Sequence, residues 1–193
     1  MNIATAIRFA GLSIACSLFV FCMTGFITLL TGSLTVAAVE LYSLLCAAAS
    51  TAVFLTLRSG DSRYTDPSKK ILLAALVFVV GGGLWIAFVS VQNISHPEPV
   101  LLPVVGAVVA GIGALINGSF GKTMQNMSDA QTPSLLVANA ARLLTAGYVS
   151  IAAAIALLLI NRTQLYRLDA VVALAIVLFT SWQAWKVTRT SAS

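Results

Sequence analysis

Six stretches of this chain run apolar for about twenty residues each, and that constrains the fold more than any other feature of the 193 residues. A hydrocarbon core about 30 Å thick is crossed by about 20 apolar residues in a helix. The runs predict helical spans at about residues 9–30, 33–57, 71–92, 100–120, 134–160 and 168–185. The expected fold is an all-α membrane protein, a six-transmembrane-helix bundle forming one transmembrane domain over residues 1–193. Composition agrees: 59% of the residues are apolar, 9% are charged and the mean hydropathy is +0.98, which leaves little for a soluble domain. Arg8 followed by an apolar run resembles a signal peptide, but the run to Leu30 exceeds the usual h-region and reads as a retained first span.

In a soluble protein the net charge of +5 would point to nucleic acid. Here the basic residues fall between spans, where they record orientation instead, and no nucleic-acid partner is expected. Eight lie on one side (Arg8, Arg58, Arg63, Lys69, Lys70, Lys122, Lys186, Arg189) and two on the other (Arg162, Arg167). The positive-inside rule then puts both termini in the cytoplasm. A multi-pass protein of a bacterial inner membrane is expected, with the lipid bilayer as its first partner. The loop RSGDSRYTDPSKK is the strongest topological marker; the loop QNISHPEP has no lysine or arginine, and His96 in it is expected to be solvated. A further loop carries Lys122 and Asp129.

Polar groups inside spans are costly and mark candidate functional positions. The stretch from Thr31 to Thr51 holds Glu40, Tyr42, Ser43, Cys46 and Ser50. The fifth span holds Asn139, Arg142 and Thr145, and an arginine there costs at least about 2.5 kcal/mol on insertion scales. Arg142 should therefore face the bundle interior or a water-filled cavity. At about 1.5 Å per residue, Tyr42 lies roughly 15 Å and Cys46 roughly 21 Å below Gly32, while Arg142 starts about 12 Å from the opposite surface. The three can share one layer. Glu40, two residues before Tyr42, points to another side of the helix and sits nearer the outer surface.

Gly106, Ala110, Ala114 and Gly118 recur every four residues in the fourth span, a stripe that lets another helix backbone approach. Cys16, Cys22 and Cys46 all fall in apolar runs, where buried, inert thiols are the default reading. A soft-metal site built on Cys46, or on Cys16 or Cys22, with Met23 is the functional alternative. Asp169 stands beside Arg167 at the mouth of the sixth span and reads as an interfacial residue.

Several landmarks occur in an order that resembles the membrane domain of cation diffusion facilitator (cation efflux) transporters. They are the TGS turn before the second span, YSLLCxxxS at residues 42–50, RYTDPSKK before the third span, the SHPEP loop, and RLDAVVALAI opening the sixth. The resemblance covers residues 8 to 187. It implies a transporter that exchanges zinc or a similar divalent cation for protons, often as a homodimer. It also implies a midplane site of four ligands, two from the second span and two from the fifth, a set that suits zinc.

In this chain Tyr42 and Cys46 occupy the two acidic positions of the second span, with Ser43 keeping its place. Aligning Gly147 with the family's small residue puts Ala138 and Arg142 at the ligand positions of the fifth. The site thus loses its carboxylates and gains a permanent cation. The family's frequent cytoplasmic metal-sensing domain is expected to be lacking after the sixth span, and the loop between the second and third spans, RSGDSRYTDPSKK, is not the family's histidine-rich one.

Two functional classes follow. One is a transporter with an altered midplane site, in which Tyr42, Cys46, Arg142, Ala138 and Ser43 line the path and Glu40 is the proton-linked acid. Its cargo would be zinc or another divalent cation, with no resident cofactor and no metal ligand expected other than a candidate role for Cys46. The other is a non-transporting, degenerate family member acting as a structural or assembly subunit. No nucleophile–base pair, phosphate loop or metal signature suggests an enzyme.

Overall fold

A computed structural model describes residues 3–60, 65–128 and 132–192; Arg63, Tyr64 and Asp129 lie outside these. The described residues form six helices and no strand: α1 (Ile3–Thr31), α2 (Leu34–Arg58), α3 (Asp66–Ser95), α4 (Pro103–Asn126), α5 (Ser134–Thr163) and α6 (Arg167–Ala192). All six are long and apolar enough to cross a membrane. Most extend past the spans expected from hydropathy: α1 begins at Ile3 rather than near residue 9, and α3 begins at Asp66 rather than 71. The reason is geometric. A helix of 30 residues is about 45 Å long, enough for the headgroup layers as well as the core, and it needs no apolar residues once outside hydrocarbon.

The most buried helix is α2, and it touches each of the other five. α1, α2, α4 and α5 form one group, in which the α4–α5 and α1–α2 contacts are the most extensive. α3 and α6 pack on each other and on α2. Between α5 and α6 the contact is sparse, which leaves a gap. The stripe on α4 is used inside the bundle: a Cβ on Gly147 of α5 would lie 2.9 Å from Gly118 Cα and 3.3 Å from the Ala114 carbonyl oxygen. Gly106 meets Leu157 of α5 and Val36 of α2.

Turn chemistry sets the start of α2. Gly32 has φ +63°, a backbone conformation glycine adopts without a Cβ penalty. Ser33 then caps the helix by accepting from Val36 N. Asp169 of α6 completes the cap. Its carboxylate accepts from Ser33 Oγ at 2.7 Å, Leu34 N at 2.7 Å and Thr35 N at 3.2 Å, and its backbone oxygen accepts from Thr35 Oγ1 at 3.0 Å. With 3% of its surface exposed, Asp169 is a buried tie between α6 and α2 rather than the interfacial residue expected.

Two buried asparagines differ in what they satisfy. Asn139 of α5 donates to Ser13 Oγ of α1 at 3.0 Å and accepts from Ser50 Oγ of α2 at 3.1 Å, joining three helices. Asn117 of α4 is equally buried, but neither its amide oxygen nor its nitrogen has a partner among the described residues. Removing a bonded group strands its partner, whereas removing an unbonded one does not. Asn139→Ala is therefore expected to destabilise by about 1–2 kcal/mol more than Asn117→Ala. Denaturation midpoints in detergent measure the difference, and equal midpoints would contradict it.

Candidate functional site

The layer opposite the middle of α2 is built from α2, α5 and α6. On α2, Tyr42 and Cys46 are four residues apart and therefore share a face, and both are buried, with 2% and 1% of their surfaces exposed. Arg142 of α5 acts electrostatically on both side chains. Thr145, one turn further along α5, stands beside the Tyr42 hydroxyl. The Tyr42 ring stacks on Phe179 of α6, with centroids 6.0 Å apart and planes 20° from parallel.

Behind Arg142 a cavity of about 350 Å³ opens between α5 and α6. Ala138, Ala141, Arg142 and Thr145 line it from α5, and Gln183, Lys186 and Val187 line it from α6. Arg142 is half-buried, and its Nη1 has no hydrogen-bond partner among the described residues. Lys186 also sits over the Trp182 ring, 5.7 Å from the centroid. Two basic side chains thus line one cavity, and no carboxylate is among its lining residues.

The structure therefore brings Tyr42, Cys46 and Arg142 into one layer and puts Ala138 in the wall of the same cavity as Arg142. Ser43 is buried on α2, with its hydroxyl donating to its own helix at Val39 O, 3.0 Å away. Glu40 is elsewhere. It is half-buried against α1, where a Cβ on Gly25 would come within 2.9 Å of its Oε1, and Thr28 lies beside it. The thiols do not share one fate: Cys46 is buried, Cys16 is half-buried, and Cys22 is exposed on the bundle surface, contrary to the expectation of three buried thiols. His96 is exposed, as expected of a loop residue.

Gln183 and Lys186 were not foreseen as neighbours of Arg142. In the sequence Lys186 registers only as a loop-side charge, and nothing in its spacing says that α6 will stand next to α5. The donor set also bears on cargo. Among the described residues no group of three or more histidine, cysteine, aspartate or glutamate side chains could hold a metal ion. A phenol, a thiol, an alanine and a guanidinium do not suit a divalent cation. A dication about 5 Å from Arg142 would meet several kcal/mol of repulsion even at an effective dielectric of 20.

A family model described as the cation efflux transmembrane domain matches residues 70–193, well over half of the chain. A comparison with curated proteins gives no match.

Proposed function

The chain belongs to the cation efflux family, a family of membrane transporters, and from that premise we propose that it is a multi-pass transporter with an altered midplane site. The observation that carries this reading is the cavity that reaches Arg142 in the layer of Tyr42 and Cys46. A dry layer sealed by Arg142 hydrogen bonds would have suited a structural subunit instead. Tyr42, Cys46, Ala138 and Arg142 border the path, and Glu40, between α1 and α2, takes up and releases the exchanged proton. Both termini face the cytoplasm, and a second copy of the chain is the expected partner.

Arg142 sets the charge selectivity. Its repulsion weakens divalent binding, so the native protein favours a cargo of lower charge than zinc. The test is flux into liposomes reconstituted with the purified chain, against a panel of monovalent and divalent cations with and without an imposed pH gradient. Flux of at least one cation above empty liposomes is expected. Arg142→Asp should raise divalent uptake at least about tenfold, since it removes several kcal/mol of repulsion and supplies a carboxylate. Glu40→Gln should abolish the response to the pH gradient. If no cation moves faster than in empty liposomes, the transporter reading fails.

A further inference from the structure

The end of the bundle where α3 stops carries a cleft whose chemistry is the reverse of the cavity beside Arg142. As the chain turns from α3 toward α4, Val91, Gln92, Asn93, Ser95, His96 and Glu98 line a cavity of about 450 Å³. It offers an imidazole, a carboxylate, two amides and a hydroxyl, and no lysine or arginine is among its lining residues. His96 and Glu98 are both exposed. Among the described residues, none of the five polar side chains is committed to a hydrogen bond or ion pair with the rest of the fold.

The turn holds its donors in place before any ligand arrives. His96 N donates to Gln92 O at 2.9 Å, closing α3, and Leu101 N donates to Thr31 O at 2.9 Å, at the end of α1. Between these two ties Pro97 and Pro99 flank Glu98, each with its φ fixed by the ring. A residue before proline is kept out of the helical region, and His96 has φ −126° and ψ 79°. Fixing donors in advance lowers the ordering cost of binding. The helix end adds to the field: Pro97 has no N–H to give the last carbonyls of α3, and such orphan carbonyls make a helix C-terminus partly negative.

An anion would meet both Glu98 and that negative end. Magnesium and calcium take oxygen ligands and would leave the imidazole unused, whereas an imidazole beside a carboxylate suits nickel, copper or zinc. We propose that this cleft binds one divalent first-row transition-metal ion through His96 and Glu98, with an amide oxygen of Gln92 or Asn93 and water completing its shell. Two such ligands fall short of the three that a catalytic zinc site supplies, so the ion is held weakly and exchanges with solution. The site lies away from the layer of Tyr42 and Cys46 and does not rest on the transporter reading; its test reads binding without flux.

The test is isothermal titration of the full-length chain in detergent, without an affinity tag and carrying Cys22→Ser so that the exposed thiol does not compete. One Ni²⁺ per chain should bind at least about tenfold more tightly than Mg²⁺. His96→Ala should weaken Ni²⁺ binding at least about tenfold and Glu98→Gln at least about threefold, and both, being at exposed positions, should leave the thermal transition unchanged. Pro97→Gly with Pro99→Gly, which keeps both ligands and frees the turn, should weaken it at least about threefold. Arg142→Ala should leave it unaltered. Equal affinity for Ni²⁺ and Mg²⁺ would mean an acidic surface without a metal site and would overturn the proposal, as would Ni²⁺ binding that survives His96→Ala. Indifference to the two proline replacements would reduce the site to a single surface histidine and would overturn it too.

Discussion

Gly147→Leu is expected to yield no folded protein, and Gly147→Ala to lower stability by about 3 kcal/mol. A Cβ at this position would sit 2.9 Å from Gly118 Cα and 3.0 Å from Gly118 N, both backbone atoms that cannot rotate aside. Relief requires α4 and α5 to separate, and theirs is the most extensive helix contact in the bundle. Packing of this kind carries much of helix association in lipid, because no hydrophobic force drives helices together there. Gly121 is comparable, with its Cβ position 2.7 Å from Leu144 N. Gly111 supplies the control: nothing lies within 4 Å of its Cβ position, so Gly111→Ala should be neutral or slightly stabilising through helix propensity. Monodisperse yield after detergent extraction and the denaturation midpoint separate these cases. Equal behaviour of Gly147→Ala and Gly111→Ala would show that the close approach of α4 and α5 is wrong.

That contrast shows what sequence patterning reveals and where it stops. The stripe from Gly106 to Gly118 was visible as small residues at intervals of four, but the interval is the same whether the partner is another chain or a helix of this one. Gly147 and Gly121 complete the contact from positions that no repeat marks. The spans were visible because hydrocarbon thickness dictates their length. Their ends were not, because a helix leaving the hydrocarbon can continue through polar residues such as Asp66 and Lys69.

The candidate site divides in the same way. Arg142 stood out as a lone charge in an apolar run, and counting residues from each surface sufficed to put it level with Tyr42 and Cys46. Depth follows from helix rise alone. Azimuth between helices does not, so the contribution of α6 through Phe179, Gln183 and Lys186 had no local signature. The functional consequence is considerable. The cavity behind Arg142 takes its charge from both α5 and α6, and a cation crossing the layer of Tyr42 and Cys46 would meet the field of that pair unless an anion offsets it.

Asp169 was the residue whose role was hardest to read, and its removal should have the second large effect. An acid two residues into a helix normally serves the dipole of its own first turn. Here the carboxylate instead reaches across to the first turn of α2, where it accepts from one hydroxyl and two backbone N–H groups. Asp169→Ala leaves these donors without their acceptor at a nearly closed site and removes a negative charge from the positive end of α2. Hydrogen bonds to charged groups contribute about 1.5–3 kcal/mol each and do not add fully, so a loss of about 3 kcal/mol is expected. Asp169→Asn keeps one acceptor oxygen and turns an amide donor toward the others, so it should lose about half as much. The damage should also be local. Hydrogen exchange should rise first at Leu34 and Thr35, before the layer of Tyr42 and Cys46 is affected, because fraying of an uncapped helix starts at its end. Uniform exchange along α2 in Asp169→Ala, or an unchanged midpoint, would mean that α2 is held by its apolar burial alone and that the link from α6 contributes nothing to its position.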